Sequence, residues 1–81
     1  MNIAEQLEAL ACRPGTQSYP ASFEVEDMAA LANGDEGAIE AVTETRDELA
    51  EEIGYIRANK TAAEIQRAET ALEVCTELLS R

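Results

Sequence analysis

Residues 39–56 read IEAVTETRDELAEEIGYI. Ile39, Val42, Arg46, Leu49, Ile53 and Ile56 recur at alternating steps of three and four, which is the spacing of a helix seam that faces another helix. Every member of that seam is aliphatic except Arg46. The positions between are crowded with carboxylates: Glu40, Glu44, Asp47, Glu48, Glu51 and Glu52. An apolar ridge on one side and charge on the other predicts an amphipathic helix over 36–57, with Asp35 as its cap. Gly54 inside it costs up to ~1 kcal/mol against Ala, so a close backbone approach or a slight bend is expected there.

A matching ridge lies downstream. Asn59 and Lys60 form a short turn, and Thr61-Ala-Ala-Glu64 has the spacing of a capping box, in which both side chains satisfy free backbone N–H groups. A helix is predicted over 62–80, with Ile65, Ala68, Leu72, Cys75 and Leu79 again stepping by three and four. Two long helices with matching seams and a short turn make an antiparallel αα-hairpin. Pairing outward from the turn sets Ile53 near Ile65 and Leu49 near Ala68 and Leu72. Arg46 then falls opposite Leu72–Glu73, so its stem is expected along the seam and its guanidinium on Glu69 or Glu73.

Upstream, Asn2 caps a short helix predicted over 3–12, with Ile3, Leu7 and Leu10 on one face. Arg13-Pro14-Gly15 ends it, and residues 13–22, RPGTQSYPAS, read as loop. Ser22 caps a second helix over 23–33, with Glu24, Glu26 and Asp27 in its first turn, where the helix dipole favours negative charge. Val25, Met28, Ala29 and Ala32 form its apolar face, and Asn33-Gly34 supplies the stop. The architecture expected is all-α. It is one domain over 1–81, with short N-terminal helices and loop in 1–34 packed on a long hairpin in 35–81.

Composition agrees with that class. The chain has 81 residues, enough for one small domain with a thin core. Its aromatic residues are Tyr19, Phe23 and Tyr55, so the core must be aliphatic. Six basic and seventeen acidic residues leave a net charge of −11. That balance argues against direct binding to nucleic acid or to an anionic membrane, both of which attract positive charge. Cys12 and Cys75 are far apart and form no metal-binding or redox motif, and buried thiols in a reducing cytosol are expected. A disulfide between them requires the first helix to dock near the C-terminus. The first residues carry Glu5 and Glu8 in place of a basic start and an apolar block, and no apolar run approaches ~20 residues, so a cytoplasmic protein is expected.

The chemistry is narrow. The chain has no His, its Ser and Thr residues have no evident base, and no phosphate-binding glycine loop is present. No catalytic residue, metal ligand or cofactor is assigned. Helical di-metal sites need inward Glu and His residues, and NGDEGAIEA lacks the alternating ligands of a calcium loop.

That leaves the acids. Glu40, Glu44, Asp47/Glu48 and Glu51/Glu52 form a stripe along the third helix, and Glu69, Glu73 and Glu77 form a shorter row on the fourth. The pairs 40/44, 44/48, 47/51 and 48/52 each cost ~0.2–0.5 kcal/mol in a helix, about 1–2 kcal/mol together. Screening in a salt-rich cytoplasm would offset this cost, and so would a basic partner. Carboxylates one turn apart are roughly 6 Å apart, sparser than the one charge per about 1.7 Å of duplex DNA. Two flanking rows together with Asp35 and Glu36 come closer to that density. Such a surface suits a Lys/Arg groove as a partial nucleic-acid mimic.

In size, charge and the acidic run 35–52, the chain resembles the small helical inhibitors made by phages and mobile elements, anti-CRISPR proteins among them. The resemblance implies a non-enzymatic inhibitor that covers the basic nucleic-acid channel of an effector complex. The expected partner is therefore a basic protein surface of a nucleic-acid-binding protein or complex, met by Glu40, Glu44, Asp47, Glu48, Glu51 and Glu52. The alternative is a self-associating hairpin, a homodimer serving as an assembly or adaptor module, in which the seams matter and the stripe is only solvated.

Overall fold

The computed structural model describes residues 2–11, 20 and 22–81 of the chain. Its helices are α1 (Ile3–Leu10), α2 (Ser22–Ala32), α3 (Ile39–Asn59) and α4 (Ala62–Leu79), with one 3₁₀ turn at Glu36–Ala38. There is no strand among the described residues. The long helices α3 and α4 pack on each other as the hairpin their seams require. α2 lies against both of them, and α1 lies against α4 and α2.

The helix ends arise from side chains that satisfy backbone groups. Asn2 Oδ1 accepts from Glu5 N at 2.8 Å and starts α1. α1 ends at Leu10, two residues before the predicted stop, and the Arg13-Pro14-Gly15 breaker, most of the 13–22 loop and Cys12 lie outside the described residues, as does the Ser22 side chain expected to cap α2. α2 closes on Gly34, whose φ of +95° lies in the left-handed region that only glycine enters without strain. Gly34 N donates to Leu31 O and Asp35 N donates to Ala30 O, both at 3.0 Å, so the last carbonyls of α2 are used.

Asp35 does act as a cap, but the turn it starts is tighter than predicted. Its Oδ1 accepts from Gly37 N at 2.9 Å and its carbonyl from Ala38 N at 3.1 Å, so residues 36–38 form a 3₁₀ turn and α3 starts at Ile39. α3 then runs to Asn59 without a break. Gly54 lies exposed within it, and a Cβ there would meet nothing within 4 Å, so the expected close approach is absent. Thr61 caps α4 by accepting from Glu64 N at 3.3 Å. The reciprocal half of the capping box differs, because the Glu64 carboxylate accepts from the Thr61 hydroxyl at 3.0 Å and not from the backbone.

The core is aliphatic, as composition demands. Leu10, Val25, Met28, Val42, Leu49, Ile56, Ala68, Ala71, Val74, Cys75 and Leu78 form one buried cluster, with Ile3, Leu7, Leu31, Ala32, Ile53, Ile65, Leu72 and Leu79 packed around it. Burial of such side chains, at about 1.5–3 kcal/mol each, is what holds the fold. The seam of α3 is rotated from its predicted position. Val42, Leu49 and Ile56 are buried as expected, but Thr45 replaces Arg46 inside and Ile39 is 45% exposed. The cause is α2, which packs on α3 beside α4 and pulls the buried arc toward position 45. α4 has three helical neighbours, so its buried face is wider than a two-helix seam and takes in Ala71, Val74 and Leu78.

The ion pairs differ as well. Arg46 donates to Asp47 Oδ1 from Nε at 3.2 Å and from Nη2 at 3.0 Å, and so does not reach Glu69 or Glu73. With Thr45 taking the inward position, Arg46 sits at the margin of the seam, where its own neighbour is the nearer acid. The cross-hairpin pair is made closer to the turn, by Arg57 Nε and Glu69 Oε1 at 3.7 Å. Both of its side chains are about half exposed, so it contributes little. A firmer long-range link comes from Arg67, whose Nη2 donates to the buried Pro20 carbonyl at 2.8 Å and ties the chain ahead of α2 to α4.

Candidate functional site

Because α3 is one uninterrupted helix, residues three and four apart stay in line along it. Glu40, Glu44, Asp47, Glu48, Glu51 and Glu52 are all exposed; Glu40, Glu44, Asp47 and Glu51 lie on the side away from Val42 and Leu49, and Glu48 and Glu52 on its flank. Arg46 neutralises Asp47. No basic side chain among the described residues forms an ion pair with Glu40, Glu44, Glu51 or Glu52. The result is a helix-long face of negative charge with Arg46 at its edge.

One flank of that face is not a plain helix surface. Where α2 packs on α3, a shallow cleft of about 400 Å³ opens between them. Its walls are Phe23 and Asp27 of α2 and Ala41, Glu44 and Glu48 of α3, with Glu24 and Thr45 at its base. Glu24 is buried and accepts from Thr45 Oγ1 at 3.4 Å, while the same hydroxyl lies 3.1 Å from Ala41 O. Phe23 is 65% exposed. Reading the acids of α3 alone misses this cleft. The signal for it lay in α2: at 100° per residue, Phe23 falls on the side of the helix opposite Val25 and Met28, an aromatic residue placed off the apolar face.

The α4 row is differently placed. Glu69, Glu73 and Glu77 are exposed and line an open groove of about 730 Å³ together with Leu72, Thr76 and Arg57. Arg57 pairs with Glu69 there, so this row is shorter and partly neutralised.

The buried groups have a chemistry of their own. Cys75 is a free thiol with no exposed surface. Loss of solvent pushes its pKa up to about 11; the nearby Arg46 charge opposes this, and the Glu24 charge adds to it. A thiol so held stays protonated and unreactive at neutral pH. Among the described residues, no group of three or more His, Cys, Asp or Glu side chains could hold a metal ion. Nor is any helix among them long and apolar enough to cross a membrane. No protein-family model matches the chain, and no curated protein or solved structure shows significant similarity to it.

Proposed function

We propose that this protein is a non-enzymatic binding module whose acidic α3 face covers a basic protein surface. We assign that surface to a nucleic-acid-processing complex in the cytoplasm, which the module inhibits in the manner of an anti-CRISPR protein. The observation that carries this reading is the exposed carboxylate row on one continuous helix, with Glu40, Glu44, Glu51 and Glu52 making no ion pair among the described residues. Like charges held at one-turn spacing repel each other in the free protein, and a Lys/Arg groove relieves that repulsion. Binding of this kind gains by counterion release, as phosphate does, and so weakens as salt rises. The row is sparser than a phosphate backbone, which makes it a partial mimic.

The test is charge reversal at three exposed positions. A Glu44→Lys/Glu48→Lys/Glu51→Lys variant should keep its helical circular dichroism and lose capture of basic nucleic-acid-binding proteins from a host lysate at moderate salt. Capture by the variant equal to that by the parent would rule the reading out.

A second reading has one observation in its favour. Ile39 is largely exposed, and Ile53, Ile65, Leu72 and Leu79 are only partly buried, so the hairpin keeps apolar surface that a second copy would cover. Sedimentation at micromolar concentration and two salt levels separates the two. A salt-insensitive dimer favours self-association, and a monomer favours the acidic-face reading.

A further inference from the structure

We propose that the open side of the α3–α4 hairpin is a homodimer interface, on which a second copy completes a four-helix bundle. The proposal rests on the self-association reading and names the face and the pairing it uses. Its first support is a pair of sequence rows. Ile39, Arg46 and Ile53 on α3 are seven residues apart, and so are Ile65, Leu72 and Leu79 on α4. A repeat of seven marks a helix that packs on other helices. The companion rows, Val42, Leu49 and Ile56 on α3 and Ala68 and Cys75 on α4, are buried in the chain's own core. The first two rows are not used up in this way: Ile39 is 45% exposed and the other five are half-buried.

α3 ends at Asn59 and α4 begins at Ala62, so counting outward from the turn sets Ile53 beside Ile65, Arg46 beside Leu72 and Ile39 beside Leu79. These three rungs follow one another along the hairpin at about 10 Å intervals. Among the described residues no third helix covers them. α2 packs on the side of Thr45, about 100° round α3 from Arg46, and α1 touches α4 and α2 but not α3. Leu72 accordingly lines the open groove of about 730 Å³, and Ile65 lines a hollow of about 420 Å³ beside it.

Charge names the occupant as a second copy. The chain carries −11, so two copies repel over most of their surfaces. Here the charge is locally balanced, because Arg46 pairs with Asp47 and Arg57 with Glu69. A basic partner is drawn elsewhere, to Glu44, Glu48 and Glu51, which lie more than about 120° round α3 from Arg46 and stay exposed in the dimer. The face is also complementary to itself. With the two-fold axis along the hairpin, α3 of one copy lies antiparallel over α4 of the other, and the rungs meet at equal height. Each Arg46 then comes beside Leu72 and Glu73 of the other copy. Glu73 makes no ion pair within the chain among the described residues, and Arg46 does not reach it there. The seam is apolar at both ends, with a charge pair in the middle that fixes its register. A stable interface covers about 800 Å² on each partner. The 21 residues of α3 span about 31 Å and a two-helix face is about 20 Å wide, so the hairpin comes close to that area once side-chain relief is counted.

The experiment is sedimentation velocity of the full chain from about 5 to 100 μM at about 0.15 M NaCl, where charges are screened beyond roughly 8 Å. The parent is expected to dimerise with a micromolar Kd. Ile39→Glu should weaken the dimer about tenfold or more. Arg46→Glu should weaken it about tenfold, and Arg46→Glu/Glu73→Arg should restore it to within about threefold of the parent. Ile39, Arg46 and Glu73 all reach the surface, so these variants fold, which circular dichroism checks. A dimer unchanged by Ile39→Glu, or a charge swap that stays as weak as Arg46→Glu, overturns this face and leaves self-association through another surface standing. A parent that is monomeric throughout the range overturns both.

Discussion

At the scale of single residues, the junction of α2, α3 and α4 holds an unusual polar set within an aliphatic core. Glu24, Thr45 and Cys75 are all buried there, with Arg46 at the margin. The Thr45 hydroxyl gives the Glu24 carboxylate a donor, and the Cys75 thiol feels both the Arg46 and the Glu24 charges. The thiol has a measurable consequence. Its pKa rises from 9.0 in the unfolded chain to about 11 in the folded one. The folded state therefore holds its proton where the unfolded state releases it. This stabilises the fold fully below pH 9 and is lost as pH climbs through 11. The loss amounts to about 2–3 kcal/mol. Urea unfolding of the parent and of Cys75→Ala between about pH 8.5 and 11.5 should show the gap between the two closing by that amount, while a constant gap would mean that the thiol is accessible.

At the scale of elements, two glycines predict opposite outcomes. Gly54 sits in an exposed helical turn with open space where a Cβ would go. Gly54→Ala should therefore stabilise the protein by about 0.5–1 kcal/mol, the helix-propensity difference. Gly34 has φ +95°, and Gly34→Ala should destabilise by about 1 kcal/mol or more although it also has room. Thermal denaturation of the two variants reads both signs. The caps and stops of these elements were legible because they depend on short-range chemistry: Asn2, Gly34, Asp35 and Thr61 each satisfy groups within four residues of themselves. The inward face of α3 was only partly legible. A two-helix seam predicts Ile39 and Arg46 inside, but α2 adds a second contact, so Thr45 is buried and Ile39 is not. For the same reason the Phe23 cleft escaped a reading confined to α3, since it forms only where two separate elements meet.

At the scale of the whole molecule, charge opposes compactness. The radius of gyration is 11.9 Å, close to the ~11.7 Å of a compact chain of this length, so the fold withstands a net charge of −11. The repelling pairs along α3 should make stability depend on salt. Raising NaCl from about 10 mM to about 0.5 M is expected to add about 1–2 kcal/mol, or roughly 5–15 °C in Tm. The Glu44→Lys/Glu48→Lys/Glu51→Lys variant should show a smaller rise. Equal rises in differential scanning calorimetry would place the repulsion elsewhere. Composition made the acidity plain and periodicity set the six carboxylates on one helix, but no residue type in the chain names what they meet. A charged face specifies the sign of a partner, whereas identity depends on shape, which composition does not carry.

The eight residues of α1 are fewer than the ~12–15 at which a free helix becomes marginal in water. Its order is therefore borrowed from α4 and α2, on which Ile3, Leu7 and Leu10 rest. The first helix and the last are thus packed together, although most of the sequence separates them. Loss of the α4 surface would therefore remove part of the support on which α1 rests.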